Sequence, residues 1–224
     1  SKLTEPQHLD SAKVSNALVK YRVGSILNCG NHSHSPEKWH EFINDIQTAA
    51  AKKASGIPVL YGIDAIHGPT YTQNGILGPQ QIGLGATWNP EAARTAGQNT
   101  AIQVHALGIH WNFSPVLDLA RDPRWPRFWE TFGEDPYMVA TMGRAIVDGY
   151  QNSGVPFAAT LKHFFGYGFS LSGKDRTPAW IPERQLREYF LPPFQAAIEA
   201  GAMSIMVNSG EINGIPVHSN KALL

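Results

Sequence analysis

Five largely apolar runs, separated by helical patterns, constrain this chain more than any other feature. They are Val23 to Leu27 ("VGSIL"), Ile57 to Ile63 ("IPVLYGI"), Ile109 to Leu117 ("IHWNFSPVL"), Pro156 to Leu161 and Met203 to Val207 ("MSIMV"). They read as continuous rather than alternating, although His110, Asn112 and Ser114 interrupt the third. Each therefore predicts a strand with both faces in a core, which is the pattern of parallel strands rather than of a half-wetted antiparallel sheet. Parallel strands need crossovers, and the intervening segments supply them. Ser35-Pro36-Glu37 opens a helix with a capping hydroxyl, a first-turn proline and an acid at the positive end of the peptide dipoles. Trp39, Phe42, Ile43, Ile46 and Ala50 follow at helical spacing, Lys52 and Lys53 fall in the last turn, and Gly56 ends it. Asn89-Pro90-Glu91 and Asp135-Pro136 open two more helices, stopped by Gly108 and Gly154. Glu183 to Ala200 reads as a fourth, broken at Pro192-Pro193 and stopped by Gly201. The fold class is α/β, with about five strand-helix units and no linker between them: either a (β/α) barrel or a doubly wound open sheet.

The two architectures put function in different places. A barrel builds its site at the carboxyl ends of the strands. Those ends read Asn28, Asp64, Asp118, Lys162-His163 and Asn208. Strand ends meet solvent and tend to be polar anyway. A set of Asp, Lys and His abutting the strands also predicts a polar cup, with Lys162 and His163 side by side at its mouth in "AATLKHFFGYG".

Composition narrows what the cup can bind. Hydrophobic residues make up 42% and charged residues 16% of the 224, and 18 Lys plus Arg balance 18 Asp plus Glu. That is a globular composition without the clustered positive charge a nucleic-acid partner needs. Cys29 is the single cysteine, so neither an intrachain disulfide nor a cysteine-based zinc site can form. No run approaches the ~18 apolar residues of a membrane span, and the opening "SKLTEPQHLD" does not read as a signal peptide. "GLGATW" follows no strand-helix junction of the phosphate-binding kind. His32-Ser33-His34 has no further ligand at metal spacing. No cofactor or metal is expected, and a neutral small substrate fits best. In "YGIDAIHGPTYTQN", Asp64 and His67 follow a strand, and a carboxylate there can accept hydrogen bonds from neighbouring hydroxyls or cap a turn. "LARDPRWPRFWETFGEDP" brings Arg121, Arg124, Arg127, Trp125, Trp129 and Glu130 into one loop. Flat aromatic faces beside charged groups suit a carbohydrate. The same loop could equally be pinned by ion pairs of Asp122, Arg124 and Glu134.

In their order and spacing, "YGIDAIHG", "ARDPRWPR…WETFGEDP", "LKHFFGYG" and "MVNSGEINGIPVH" resemble the N-terminal barrel domain of glycoside hydrolase family 3, in the branch of the β-glucosidases and related exo-glucosidases. "GKDRTPAWIPERQLREYFLPPF" extends the likeness over nearly all of the chain. The resemblance implies a TIM-type (β/α)8 barrel, of which residues 1–224 hold an incomplete part, with a second domain outside this sequence. It implies removal of terminal non-reducing β-D-glucosyl residues from β-glucosides or glucan oligosaccharides by a retaining double displacement. Carried over by motif, Asp64, Arg127, Lys162 and His163 bind hydroxyls of the glycone, with Asp64 as acceptor and Lys162 and His163 as donors. Arg124 is then structural, and Glu130 orients Arg127 or Lys162.

The family's nucleophilic aspartate falls on the strand after "NGIPVH", beyond Leu224, and its acid/base glutamate on the second domain. The chain is thus read as a fragment with no catalytic residue of its own. It departs from the family in lacking a common tyrosine near Asn208-Ser209, which leaves the roles of Asn208, Ser209 and Glu211 open, and in lacking the opening helix. "GYGFSLSGKDRT" has no histidine of the cell-wall hexosaminidase branch. The family implies a secreted, periplasmic or lysosome-like location. Two other readings remain: a Schiff-base lyase using Lys162, and a non-catalytic sugar-binding remnant.

Overall fold

The computed structural model describes residues 4–5, 8–28, 32–52 and 55–224. A short antiparallel pair, β1 (Thr4–Glu5) and β2 (His8–Leu9), leads into α1 (Ser11–Ser15). Asp10 caps α1 by accepting from the Lys13 amide at 3.0 Å, and a wide π-type turn, Asn16–Lys20, continues it. An opening helix is therefore present, contrary to the expectation from sequence. Its apolar face is only Val14 and Leu18, both buried, too few positions to show a period.

The main sheet has five parallel strands: β3 (Ser25–Leu27), β4 (Leu60–Ile63), β5 (Trp111–Asn112), β6 (Ala158–Phe164) and β7 (Ser204–Val207), in the order β3-β4-β5-β6-β7. A doubly wound sheet reverses direction at a switch point so that helices cover both faces. A sequential order with right-handed crossovers instead puts every helix on one face. Here α2 (Pro36–Ala50), α4 (Pro90–His105), α5 (Pro136–Gln151) and α7 (Leu191–Glu199) lie along the sheet, with α4 packed on α5 and α5 on α7. The sheet curls into a half barrel, an incomplete TIM-type fold.

The expected helix starts are observed. Ser35, Asn89 and Asp135 each cap with a side-chain oxygen and precede a first-turn proline. The close approach of α4 to α5 requires two reciprocal glycines. A Cβ on Gly149 would stand 2.0 Å from the Arg94 carbonyl oxygen, and one on Gly97 2.5 Å from that of Ile146.

Several expectations need correction. α2 ends at Ala50, so Lys52 follows it, and Lys53 and Cys29 lie outside the described residues. The run from 109 to 117 gives only a two-residue strand, because Pro115 has no N–H for the ladder. The buried side chain of Gln81, in α3 (Gln81–Ala86), stands in for a strand there, accepting from the Val116 amide at 3.0 Å and donating to its carbonyl at 2.8 Å. β6 runs through Lys162 and His163 instead of stopping at Leu161. Pro192 and Pro193 do not end the helix, although its α-type ladder gives way to a wide turn just before them. The chain runs from α6 (Glu183–Gln185) through a π-type turn, Leu186–Phe190, into α7, whose first turn receives the prolines where no N–H is needed. Finally, the strands are not buried on both sides. The helix-facing side holds Tyr61, Ile63, Ala159 and Leu161 in the core, while Leu27 is 63% and Leu60 60% exposed. A concavity of about 320 Å³ lined by Leu27, Trp111, Phe113, Thr160 and Met206 opens on the inner face.

Candidate functional site

At the carboxyl ends of the strands, one layer above that concavity, is a polar cup of about 430 Å³. Asp64, Arg127, Glu130, Lys162, His163 and Tyr167 line it, with Ser209 and Met206 on the β7 side. The side chains named from sequence thus meet in one cavity: Asp64, Arg127, Lys162 and His163, with Glu130 in support.

Asp64 follows β4 directly. Its Oδ1 accepts from Lys162 Nζ at 2.6 Å and its Oδ2 from Asn28 Nδ2 at 2.9 Å. Asn28, at the end of β3 in a left-handed conformation (φ 50), returns the contact by accepting the Asp64 amide at 3.1 Å. Burial raises the Asp64 pKa, but the Lys162 ammonium and the Asn28 amide more than offset this, and its carboxyl is held below the usual range. Lys162 is 2% exposed, and burial draws its ammonium below the ordinary lysine range while Asp64 pulls it back.

In a regular strand Lys162 and His163 would point to opposite faces. Here the ladder to β7 shifts register between Lys162 and Phe164, and both side chains border the cup. Irregular ladders of this kind re-aim side chains next to sites.

Arg127 begins a single helical turn, Phe128–Glu130, which returns Glu130 to its own guanidinium. The pair is bidentate, Nε to Oε1 at 2.8 Å and Nη2 to Oε2 at 2.7 Å. Burial disfavours the Arg127 charge, yet Glu130 more than restores it and the pKa is raised. Glu130 is therefore the partner of Arg127, and the partner of Lys162 is Asp64. Arg124 lies outside the cup, exposed and paired with Asp122 at 2.7 Å.

Both ring nitrogens of His163 are engaged. Nδ1 lies 2.8 Å from Asp118 Oδ2 and Nε2 3.0 Å from Arg127 Nη1. A carboxylate only accepts and a guanidinium only donates, so the ring is neutral with its proton on Nδ1. Burial holds the imidazole below the usual histidine range, against the pull of Asp118. In this arrangement the outer nitrogen of His163 is an acceptor and faces Arg127.

Sequence reasoning did not select Asn28, Asp118 or Tyr167 as site residues. Asn28 and Asp118 were visible as polar strand ends. Tyr167 sits in the glycine-rich turn after β6, 4.7 Å from the His163 ring, with its hydroxyl on Asp175. Asn208 is buried, donating to the Phe165 carbonyl and accepting the Gly210 amide. Glu211 belongs to the small hairpin β8 (Glu211–Ile212) and β9 (Ile215–Pro216), away from the cup. His67 braces its loop through Gly78 and Gln80. Among the described residues, no group of three or more His, Cys, Asp or Glu is placed to hold a metal.

The cup offers an acceptor on Asp64 flanked by donors on Lys162 and Arg127, a spacing suited to neighbouring hydroxyls. Fold and site together define an incomplete TIM-type barrel domain with a polar cup at the strand carboxyl ends. The model of the Glycosyl hydrolase family 3 N terminal domain matches residues 1–224, and the chain belongs to that family. A lysosomal beta glucosidase of Dictyostelium discoideum is 46% identical over 219 residues, covering 89% of this chain. An exo-1,3/1,4-beta-glucanase of a Pseudoalteromonas species superposes with a TM-score of 0.87 at 34% identity, over 98% of this chain and 29% of its own. The beta-glucosidase of Listeria innocua in complex with glucose gives 0.81 at 31% identity, over 97% of this chain and 31% of its own. The chain spans about a quarter of the length of the curated relatives it matches, 27% for the Dictyostelium enzyme.

Proposed function

We propose that this domain holds the terminal glucosyl residue of a β-glucoside or glucan oligosaccharide, and that the complete protein hydrolyses the bond next to it with retention of configuration. The observation that carries this reading is the Asp64–Lys162 pair, an acceptor and a donor 2.6 Å apart at the mouth of the cup, with Arg127 beside them. In a sugar complex the carboxylate accepts from two hydroxyls while the ammonium and guanidinium donate to their neighbours. Such contacts hold a ring in place, and those to the 2-hydroxyl tighten as positive charge develops at the anomeric carbon.

The two carboxyl groups of a double displacement come from outside these residues. Asp64 and Glu130, the carboxylates bordering the cup, are each bound to a cation of the domain itself. That engagement suits them to holding hydroxyls and cations in place rather than to displacement at carbon. A lysosome-like or secretory location goes with this reading, as for the Dictyostelium relative. No helix among the described residues is long and apolar enough to cross a membrane.

The test is steady-state hydrolysis of nitrophenyl β-D-glucoside by the complete protein, with Asp64→Asn beside the wild type. Turnover that falls by about two orders of magnitude in the variant supports the reading. Equal turnover in both removes Asp64 from the glycone site. One observation favours a second reading, a lyase working through an imine on Lys162: the lysine stands near the end of a barrel strand, borders the cup and is 2% exposed, and burial disfavours its ammonium form. Borohydride in the presence of a carbonyl substrate would trap such an imine covalently on Lys162. Labelling there, without glucoside turnover, would favour the lyase.

A further inference from the structure

Asp118 lies at the carboxyl end of the run from 109 to 117, directly behind His163, and its side chain is fully buried. One of its oxygens, Oδ2, accepts from both the backbone amide of His163, at 3.1 Å, and the ring Nδ1, at 2.8 Å. The other, Oδ1, is buried and has no hydrogen-bond partner among the described residues. A buried carboxylate with an oxygen in that state is costly to keep for packing alone. What it does on the structure is hold one imidazole in one tautomer.

We infer that Asp118 is a positioning residue for the cup: by keeping the His163 proton on Nδ1, it presents the Nε2 lone pair to Arg127 and so fixes where the guanidinium points. This rests on reading the cup as a glycone site. The chain of contacts runs from Asp118 Oδ2 to His163 Nδ1, and from Nε2 to Arg127 Nη1 at 3.0 Å. Glu130 grips the opposite edge of the same guanidinium through Nε and Nη2. Arg127 is thus held on two sides. With the proton moved to Nε2, two N–H groups would face each other across that contact, and Arg127 would have to turn away. The ring of Tyr167, 5.8 Å from the Arg127 carbon and 4.7 Å from His163, closes a third side. Asp118 itself does not border the cup, so it acts through His163 rather than on a ligand.

The experiment uses the complete protein with 15N-labelled histidine, and variants Asp118→Ala and Asp118→Asn. Long-range proton–nitrogen NMR reads which His163 nitrogen carries the proton, with the signal assigned by its loss in His163→Gln. The wild type is expected to show Nδ1–H. In Asp118→Ala the proton should redistribute toward Nε2, and kcat/KM for nitrophenyl glucoside should fall on the order of 10- to 100-fold. In Asp118→Asn the amide oxygen can take the place of Oδ2, so the tautomer should persist and activity should stay within about tenfold of wild type. Activity lost while the tautomer is kept, or the tautomer lost while activity is kept, overturns the proposal in either variant. So do an Nε2–H wild type and an alanine variant with both properties unchanged. If alanine does not fold, the asparagine variant and the wild-type tautomer decide by the same criteria. If the wild-type protein turns over no glucoside, the glycone reading fails by itself, and the tautomer alone decides whether Asp118 governs His163.

Discussion

Lys162 Nζ and Asp64 Oδ1 lie 2.6 Å apart although 98 residues separate them in the chain. β4 brings one and β6 the other, with β5 between, so the contact spans a strand and exists only once the sheet has curled. The pair links the fold to the proposed chemistry, because it depends on the barrel geometry and lines the cup.

Removing either partner should therefore cost more than one hydrogen bond. In the complete protein, Lys162→Met and Asp64→Asn are each expected to lower kcat/KM for nitrophenyl glucoside by about 3 kcal/mol. The double variant should lose far less than the sum, since the two side chains act as a unit. A fully additive cycle would mean that the residues serve the site separately.

The two arginines of the long loop should behave differently. Arg124→Lys alters an exposed pair with Asp122 and should change neither Tm nor activity, by less than about 0.5 kcal/mol. Arg127→Lys replaces a planar fork that also neutralises buried Glu130. Activity and stability should therefore fall together, with unfolding easier by about 3 kcal/mol. Kinetics and thermal melts of the two variants check this, and a fully stable Arg127→Lys would contradict it.

How much of this was legible in the sequence follows from what each residue type must satisfy locally. The caps Ser35, Asn89 and Asp135 each combine a short polar acceptor with a following proline, and all of these helix starts are observed. Proline changed its meaning with tertiary context: the wide turn before Pro192 and Pro193 carries them within a continuous helical stretch, and Pro115 cuts short the strand that begins at Trp111. The strand ends pointed to the cup, because parallel strands in sequential order deliver their carboxyl ends to one rim. Which side chains face each other across that rim depends on sheet curvature and on the irregular ladder at Lys162–Phe164, and no local pattern records either. For that reason Asp118 and Asn28 read only as polar ends. Asn213-Gly214, both at positive φ between β8 and β9, carries an ordinary hairpin-turn signal.

Stability should depend on pH through His163. Its folded pKa lies below the ordinary value of about 6.5, chiefly through burial, so as pH falls the unfolded chain takes up the proton first. The stability this neutral ring contributes is fully present above about pH 6.5 and is lost as pH drops toward the folded value. His34 and His110, also lowered by burial, add with the same sign. Urea midpoints of the complete protein should be lower at about pH 5.5 than at about pH 7.5, and His163→Asn should narrow the gap. A gap of unchanged width in that variant would contradict the assignment.

The α4–α5 contact should be intolerant of a single methyl group. Gly149→Ala sets a Cβ against the Arg94 backbone and forces the helices apart, with an expected loss of more than about 3 kcal/mol. Gly154→Ala has no neighbour within 4 Å and meets only the cost of its positive φ, about 1 kcal/mol. Thermal melts that rank the two in reverse would overturn this packing account.

The central claim is that the cup of Asp64, Lys162 and Arg127 holds the glucosyl residue. A crystal structure of the complete protein soaked with glucose tests it most directly. The account predicts a ring in the cup with hydroxyl oxygens within about 3.2 Å of an Asp64 carboxylate oxygen, of Lys162 Nζ and of an Arg127 nitrogen. Glucose bound at saturation anywhere else, with the Asp64–Lys162 pair untouched, would contradict it.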